Sequence, residues 1–351
     1  MSSSLYATIL NTLQLKLSCV HVECHATVSN ELMSPKSSVK LPARKTLLVT
    51  GASGLLMNTM LPDLAKVFEI HALYHQTPSD SKGVHWHRCN LAADALEPLF
   101  VQVEPDIVIN AAAISTDREC SSHPDRATEI NTHLPRSIAQ LCCQHRCKMI
   151  HLSTDQVYQG TRRDYLETDT AQPVNTYGRT KLAGEHEIES TNSDAVILRL
   201  ALMHGLARAQ STPRKKPFSH TLIDQLVSGQ PVRLFTDEYR TALYIDDLTG
   251  LLLTIMTSDR KPLVGGVYNA GGYERHSRHA YALQLCEVFG LPESLLLPVS
   301  AGSMEFAEPR PADCSMNSDT LQSASGWKPT QLATALKEMK QRYTDSNSVK
   351  I

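Results

Sequence analysis

The sequence has no excess of charge of one sign: 34 Lys and Arg stand against 36 Asp and Glu, a net −2 over 351 residues. A chain so balanced has no field that gathers nucleic acid or an anionic membrane surface. It has no apolar run near the roughly 20 residues that cross a bilayer. It also lacks the even cysteine count of a disulfide framework. Its 9 cysteines, without a convincing signal peptide, point to free thiols in a reducing compartment, so a cytoplasmic location is expected. Cys142, Cys143 and Cys147 lie close to His145, but no second ligand pair follows at zinc-site spacing. They read as one buried helix face, and no metal site is expected.

The first 22 residues contain no acidic residue, one lysine and no arginine. Organelle transit peptides are Arg-rich, so this stretch is a poor one. Residues 1–44, ending in "SPKSSVKLPARK", read as a disordered extension and linker.

What is present is an alternation. "TLLVT", "IHALY", "VHWH", "DIVINAAA", "KMIHLST" and "AVILRL" are strand candidates. Helical patterns lie between them near 54–67, 95–103, 124–146 and 178–190. This rhythm predicts an α/β fold, a Rossmann-type doubly wound parallel sheet over residues 45–200. Ligands of such sheets bind at the carboxyl ends of the strands, where strand order reverses. Residues 201–345 loosen into a smaller C-terminal lobe, with helices near 218–229, up to 258, 277–290 and 331–343. "VRLF" and "GGVYNAGG" are strands there, "TPRKKPF" is a solvated loop, and 346–351 is a tail.

Four constellations carry chemistry. "TGASG" joins a strand to a helix, where free amides attract phosphate and glycine permits close approach. The third glycine of the usual fingerprint is replaced by Met57, which is expected to push the helix slightly outward and weaken cofactor binding. Tyr177 and Lys181 stand one helical turn apart. An ammonium beside the phenol is expected to lower its pKa, so that Tyr177 exchanges a proton with a carbonyl oxygen. Ser153 and Thr154 end a strand, where a hydroxyl can hold that carbonyl. Asn110 and the alanines after it offer small side chains at another strand end. Each has a plain alternative as a turn or a packed surface, but their order along successive strands argues for one site.

The segments "TGASGLL", "NAAAIS", "INTHLPRSIAQLC", "LSTDQVYQG" and "NTYGRTKLAGE" resemble the extended short-chain dehydrogenase/reductases, and within them the dTDP-4-dehydrorhamnose reductase (RmlD-like) group. "LFTDEYRTALYIDDL", "NAGGYERHSR" and "RPADCSMNSDTL" extend the resemblance over about residues 46–343. It implies that the C-terminal lobe binds substrate, and that a nucleotide-linked 4-keto sugar is reduced at C4. By the same resemblance Tyr177 is the catalytic acid, Lys181 its partner on the nicotinamide ribose, and Thr154 the hydroxyl that polarises the carbonyl. Gly51, Ser53, Gly54 and Leu55 would line the pyrophosphate. Asn90 and Leu91 would sit beside adenine, with Asn where the group has Asp, and Ala111 and Ala112 would flank the ribose. Asp155, Asn175, Arg240 and Arg310 would contact substrate.

The regulatory beta subunit of methionine adenosyltransferase belongs to the same group. The resemblance therefore also admits a cofactor-binding partner of a methionine adenosyltransferase catalytic subunit, or a degenerate sugar-nucleotide binder. NAD sites place a carboxylate at the end of the second strand. Here His75 and Gln76 stand at that tip and no carboxylate comes before Asp80, which favours NADP over NAD. Oligomeric state is not legible.

Overall fold

The computed structural model describes residues 44–79, 81–207, 216–258 and 262–347. The expected extension, the tail from 348, Asp80 and residues 212–215 of the basic loop lie outside them. Seven strands form one sheet: β1 (Thr46–Thr50), β2 (Glu69–Tyr74), β3 (Val84–Arg88), β4 (Ile107–Asn110), β5 (Lys148–Thr154), β6 (Val196–Leu200) and β7 (Gly266–Ala270). Their spatial order is β7-β6-β5-β4-β1-β2-β3, and every pairing is parallel. Strand order reverses between β1 and β4, which opens a crevice at their carboxyl ends.

The helices are α1 (Leu55–Leu64), α2 (Glu97–Val103), α3 (Asp117–Ser122), α4 (Pro124–Thr128), α5 (Leu134–His145) and α6 (Thr176–Thr191) in the first half. In the second half they are α7 (Phe218–Val227), α8 (Ile245–Thr257), α9 (Arg278–Phe289), α10 (Asp319–Ser325) and α11 (Leu332–Asn347). Leu48, Val108, Met149 and Ile197 share a core with Phe100 of α2, Ile138 of α5 and Ile188 of α6. Leu47 and Val49 point to the opposite face and are equally buried. A sheet covered on both faces needs uninterrupted apolar strands, which is why the central strand sequences show no polar alternation.

The chain beyond residue 200 is not confined to a separate lobe. β7 completes the main sheet against β6, and α8 packs along α1. The lobe proper has its own core, in which Leu222 of α7, Leu285 and Phe289 of α9, and Leu336 and Met339 of α11 meet. A short parallel pair, Val232–Phe235 with Leu296–Val299, flanks it.

The single long helix expected near 124–146 is interrupted. Glu129–His133 form a π turn between α4 and α5. Pro135 lies one turn beyond Asn131 and has no N–H to return to the Asn131 carbonyl, so the helix widens there. α6 crosses at this point on Gly184, where a Cβ would lie 2.1 Å from the Asn131 carbonyl oxygen. Glycine therefore sets how closely α6 approaches.

A helix-interior glycine in open space gains up to about 1 kcal/mol on replacement by alanine. Gly184→Ala is expected to do the reverse and lose about 1–3 kcal/mol through overpacking. Urea denaturation decides it: a raised midpoint would mean that α6 does not depend on this close crossing.

Candidate active site

The glycine turn is built by backbone geometry. Gly51 takes φ +63°, and a Cβ on it would stand 2.6 Å from the carbonyl of Ala111. β1 and β4 can therefore bring the two turns "TGASG" and "NAAA" together only at a glycine. The Gly54 amide donates to the Gly51 carbonyl at 2.9 Å, and Gly54 begins α1 with no side-chain cap. The first-turn amides of α1, from Leu55 onward, thus remain available to an anion. Ser53 is exposed beside them, Ala111 is partly exposed and Ala112 is buried. Such a cradle fits a dinucleotide pyrophosphate.

Met57 is 1% exposed, so its side chain is part of the core. Its replacement by glycine would leave a cavity, and the cost falls on stability before it falls on the cofactor. Asn90 and Leu91 follow β3 in a turn. The Asp94 carboxylate accepts the Asn90 amide at 2.6 Å, and Leu91 rests on the core.

β5 delivers two hydroxyls to opposite sides. Ser153 donates to the Glu185 carboxylate, which is paired with Arg199 at 2.7 Å in the interior. Thr154 faces the other way. Its hydroxyl donates to Asp155 at 3.2 Å and lies against the Tyr177 phenol. The alternation of a strand makes this division.

Tyr177 is 9% exposed, and burial raises its pKa well above 10. The expectation that Lys181 lowers it is not met. Lys181 is 1% exposed, and its Nζ is turned into the sheet, 2.7 Å from the Leu152 carbonyl and 3.0 Å from His151 Nε2. Burial pulls its pKa down to about 8, against the opposing charge of Glu185.

Behind Lys181 runs a buried polar rung. His151 Nδ1 meets the Asn110 amide nitrogen at 3.0 Å, and the Thr50 hydroxyl donates to Asn110 Oδ1 at 2.7 Å. Thr50, Asn110 and His151 are register partners across β1, β4 and β5. Burial and the Lys181 charge hold His151 neutral, with one ring proton. With Asn110 donating to Nδ1, that proton is on Nε2 and faces an amine that accepts it. A protonated Lys181 needs Nε2 as acceptor, which moves the imidazole proton to Nδ1 and turns the Asn110 amide over. The charge on Lys181 is thereby coupled to a rung that ends at the glycine turn.

Asp155 is buried, and Oδ2 has no hydrogen-bond partner among the described residues. Arg240 Nε stands 3.3 Å away as its counter-charge, and burial outweighs that charge and raises the carboxyl pKa. Arg240 is otherwise spent on the carbonyls of Tyr239, Pro311 and Ala312. Arg310 bridges Glu238 at 2.6 Å and Asp117 at 3.0 Å.

Asn175, expected to touch substrate, is fully buried. Its Oδ1 caps α6 by accepting the Gly178 amide at 2.8 Å, and its Nδ2 donates to Gln156 at 2.9 Å. Both ends of the amide are committed, so its role is to start the helix that carries Tyr177 and Lys181.

Two further residues escaped sequence reasoning. His151 carried no signal until the register set it beside Asn110, which the sequence had marked only as the start of a strand-end turn. Arg278, the first residue of α9, lies over the Phe218 ring at 4.5 Å and makes no hydrogen bond or ion pair among the described residues. Burial first, and then the Arg240 cation, pull its pKa down to about 10. It makes no close ion pair among the described residues, with Glu238 and Asp155 as the nearby carboxylates and Arg240 and Arg310 as the nearby cations.

The model of the RmlD substrate binding domain family matches residues 45–345. The chain belongs to that family. It is 28% identical over 305 residues to a probable low-salt glycan biosynthesis reductase of Haloferax volcanii, covering 86% of this chain and 99% of the relative. It is 23% identical over 313 residues to methionine adenosyltransferase 2 subunit beta of Mus musculus, covering 86% and 89%. Among solved structures, dTDP-4-dehydrorhamnose reductase of Bacillus anthracis in complex with NADP superimposes with a TM-score of 0.71 at 19% identity, over 85% of this chain and 99% of that one. No helix among the described residues is long and apolar enough to cross a membrane.

The Lys181 pKa gives a signed test. Between about pH 8 and 10.5 the unfolded chain holds a proton on this lysine that the folded chain has released. Lys181 therefore makes stability rise with pH across that window, by up to about 1.4 kcal/mol per pH unit. Lys181→Met should remove this slope. Denaturant titrations of both proteins at several pH values should give a stability difference that changes in favour of the natural protein as pH rises. A difference that is flat with pH would place the lysine's folded pKa at its ordinary value.

Proposed function

We propose that the protein is an NAD(P)-dependent reductase of a nucleotide-linked 4-keto sugar. The observation that carries this reading is the buried Tyr177 phenol, held protonated against the Thr154 hydroxyl at the carboxyl end of β5. The cofactor would lie on Gly51, Ser53, Gly54 and Leu55, with Ala111 and Ala112 along its ribose and Asn90 and Leu91 near adenine. Once bound, it supplies the hydride. Thr154 holds the substrate carbonyl by a hydrogen bond, and Tyr177 gives its proton to the oxygen as negative charge develops there. A phenol kept protonated by burial suits that direction. Lys181, one turn along α6, would favour the phenolate left behind and would be the residue that holds the nicotinamide ribose.

Two features favour a substrate that carries both a sugar hydroxyl and a phosphate. The orphaned Asp155 Oδ2 is ready to accept from a sugar hydroxyl. Arg278 is ready to take a phosphate, whereas Arg240 and Arg310 are already engaged and hold the walls of the site. NADP is preferred to NAD, because the tip of β2 presents exposed His75 and Gln76 and no carboxylate before Asp80.

Similarity to the methionine adenosyltransferase beta subunit over most of both chains supports a second reading. In it the protein holds cofactor and regulates a methionine adenosyltransferase catalytic subunit. Such a protein would bind that subunit and change its kinetics while turning over no keto sugar.

Loss of NADPH absorbance with 4-keto nucleotide sugars tests the first reading. Tyr177→Phe should reduce kcat by about 10²–10⁴-fold with cofactor affinity nearly unchanged. Arg278→Gln should raise KM about tenfold or more and leave kcat close to its original value. Full turnover by the Phe variant would remove Tyr177 as the acid. An unchanged KM in the Gln variant would remove Arg278 from the phosphate site.

A further inference from the structure

Away from the crevice, the outer strands β2 and β3 carry an unusual sequence. "EIHALY" and "VHWHR" alternate so that Glu69, His71, His85 and His87 all point to one face of the sheet. Parallel register sets His71 directly beside His85, and Leu73 beside His87. This is the face on which Leu48, the β1 neighbour of His71, enters the core. At the margin of the sheet, imidazoles and a carboxylate take the place of the apolar side chains that helices cover further in.

The groups converge. Glu69 Oε1 stands 3.7 Å from His71 Nε2 and 3.8 Å from His85 Nε2. One ligand atom from each of Glu69, His71 and His85 lies within 4.8 Å of the others. Zinc bonds of about 2.0–2.2 Å in a tetrahedral site put neighbouring ligand atoms about 3.4 Å apart. The carboxylate-to-imidazole spacings are thus within a few tenths of an ångström of those of a zinc site. His71 and His85 are stacked with centroids 4.8 Å apart. The His85 ring, 61% exposed, has room to turn its Nε2 toward a shared ion.

The fourth member supplies what a metal-bound histidine needs behind it. His71 Nδ1 lies 2.9 Å from His87 Nε2. A ligating imidazole is oriented by donating its other ring N–H, and here His87 is the acceptor.

We propose that Glu69, His71 and His85 form a binding site for a divalent transition-metal ion of the zinc class, with His87 as the residue that positions His71. Two imidazole nitrogens and one carboxylate oxygen leave the fourth position to water. The ion would tie edge strand β3 to β2 and mask four polar side chains on an exposed margin. The site does not depend on the reductase reading. It lies on the outer strand pair, and its ligands take no part in the proposed chemistry.

The test is zinc titration of the full-length protein by calorimetry under reducing conditions, against Glu69→Gln, His71→Gln, His85→Gln and His87→Ala. The natural protein should bind one zinc that His85→Gln and His71→Gln bind at least tenfold more weakly. His87→Ala should weaken it about 10–100-fold, as loss of an orienting partner does. Saturating zinc should raise the melting temperature of the natural protein and leave that of His85→Gln unmoved. His85 is exposed, so its variant is expected to fold, and an unchanged NADPH titration or circular dichroism spectrum checks this. Cobalt gives a second readout, a tetrahedral visible band present in the natural protein and lost in the variants. Zinc stoichiometry and affinity that are the same in the natural protein and in His71→Gln and His85→Gln would overturn the proposal. Binding that depends on cysteines alone would give that same result.

Discussion

Lys181 has to keep an amino group inside a parallel sheet, and much of the structure is arranged around that demand. A buried ammonium is costly unless its hydrogens find acceptors. The Leu152 carbonyl and His151 supply them at 2.7 and 3.0 Å. His151 must then be neutral, and it is held so by burial and by the lysine itself. Its other nitrogen is satisfied by Asn110, and Asn110 by Thr50, so one charge on α6 reaches back through β5 and β4 to the glycine turn after β1. The proton on Lys181 and the orientation of the rung behind it are one property.

For α6 to hold Lys181 there, the helix has to lie unusually close to its neighbours. Gly178 faces the Gln156 carbonyl oxygen, 2.2 Å from where a Cβ would be, and Gly184 meets the carbonyl that Pro135 leaves free. Asn131, in the π turn, donates to the Ile114 carbonyl and to Thr180 at 3.0 Å each. It ties the loop after β4 to the same helix. Small residues, a widened helix turn and a buried amide thus act together to position Tyr177 and Lys181.

The C-terminal half closes the site by charge as much as by packing. Glu308 accepts the Thr176 amide and hydroxyl at the start of α6, and Arg310 spans Glu238 and Asp117. These links hold the wall of the crevice without using Arg278. One cation is left over where a substrate anion would be useful, and one carboxylate oxygen of Asp155 is left without a donor.

The sequence by itself determined the element types and the positions of the turns. Apolar strand runs, helical spacing and glycine at Gly51 and Gly54 are local properties, because a side chain's face and a turn's φ are set within a few residues. It also singled out Tyr177 and Lys181 by helical spacing, and Ser153 and Thr154 together at a strand end, with the choice of Thr154 resting on the family resemblance. It did not show that Met57 is buried, which depends on elements distant in the chain, and it put Asn175 on substrate although that amide is used up by a cap and by Gln156. The break between α4 and α5 was half legible, in Pro135, but the carbonyl it frees matters only because Gly184 crosses there. The direction of the Tyr177 shift was decided by tertiary structure alone: Lys181 is one turn away in sequence, yet its Nζ points into the sheet. So were the Thr50–Asn110–His151 rung, the unpaired Arg278 and the Glu69–His71–His85 cluster. Each joins residues that share only a register or a crevice, and sequence spacing carries no information about which strands become neighbours.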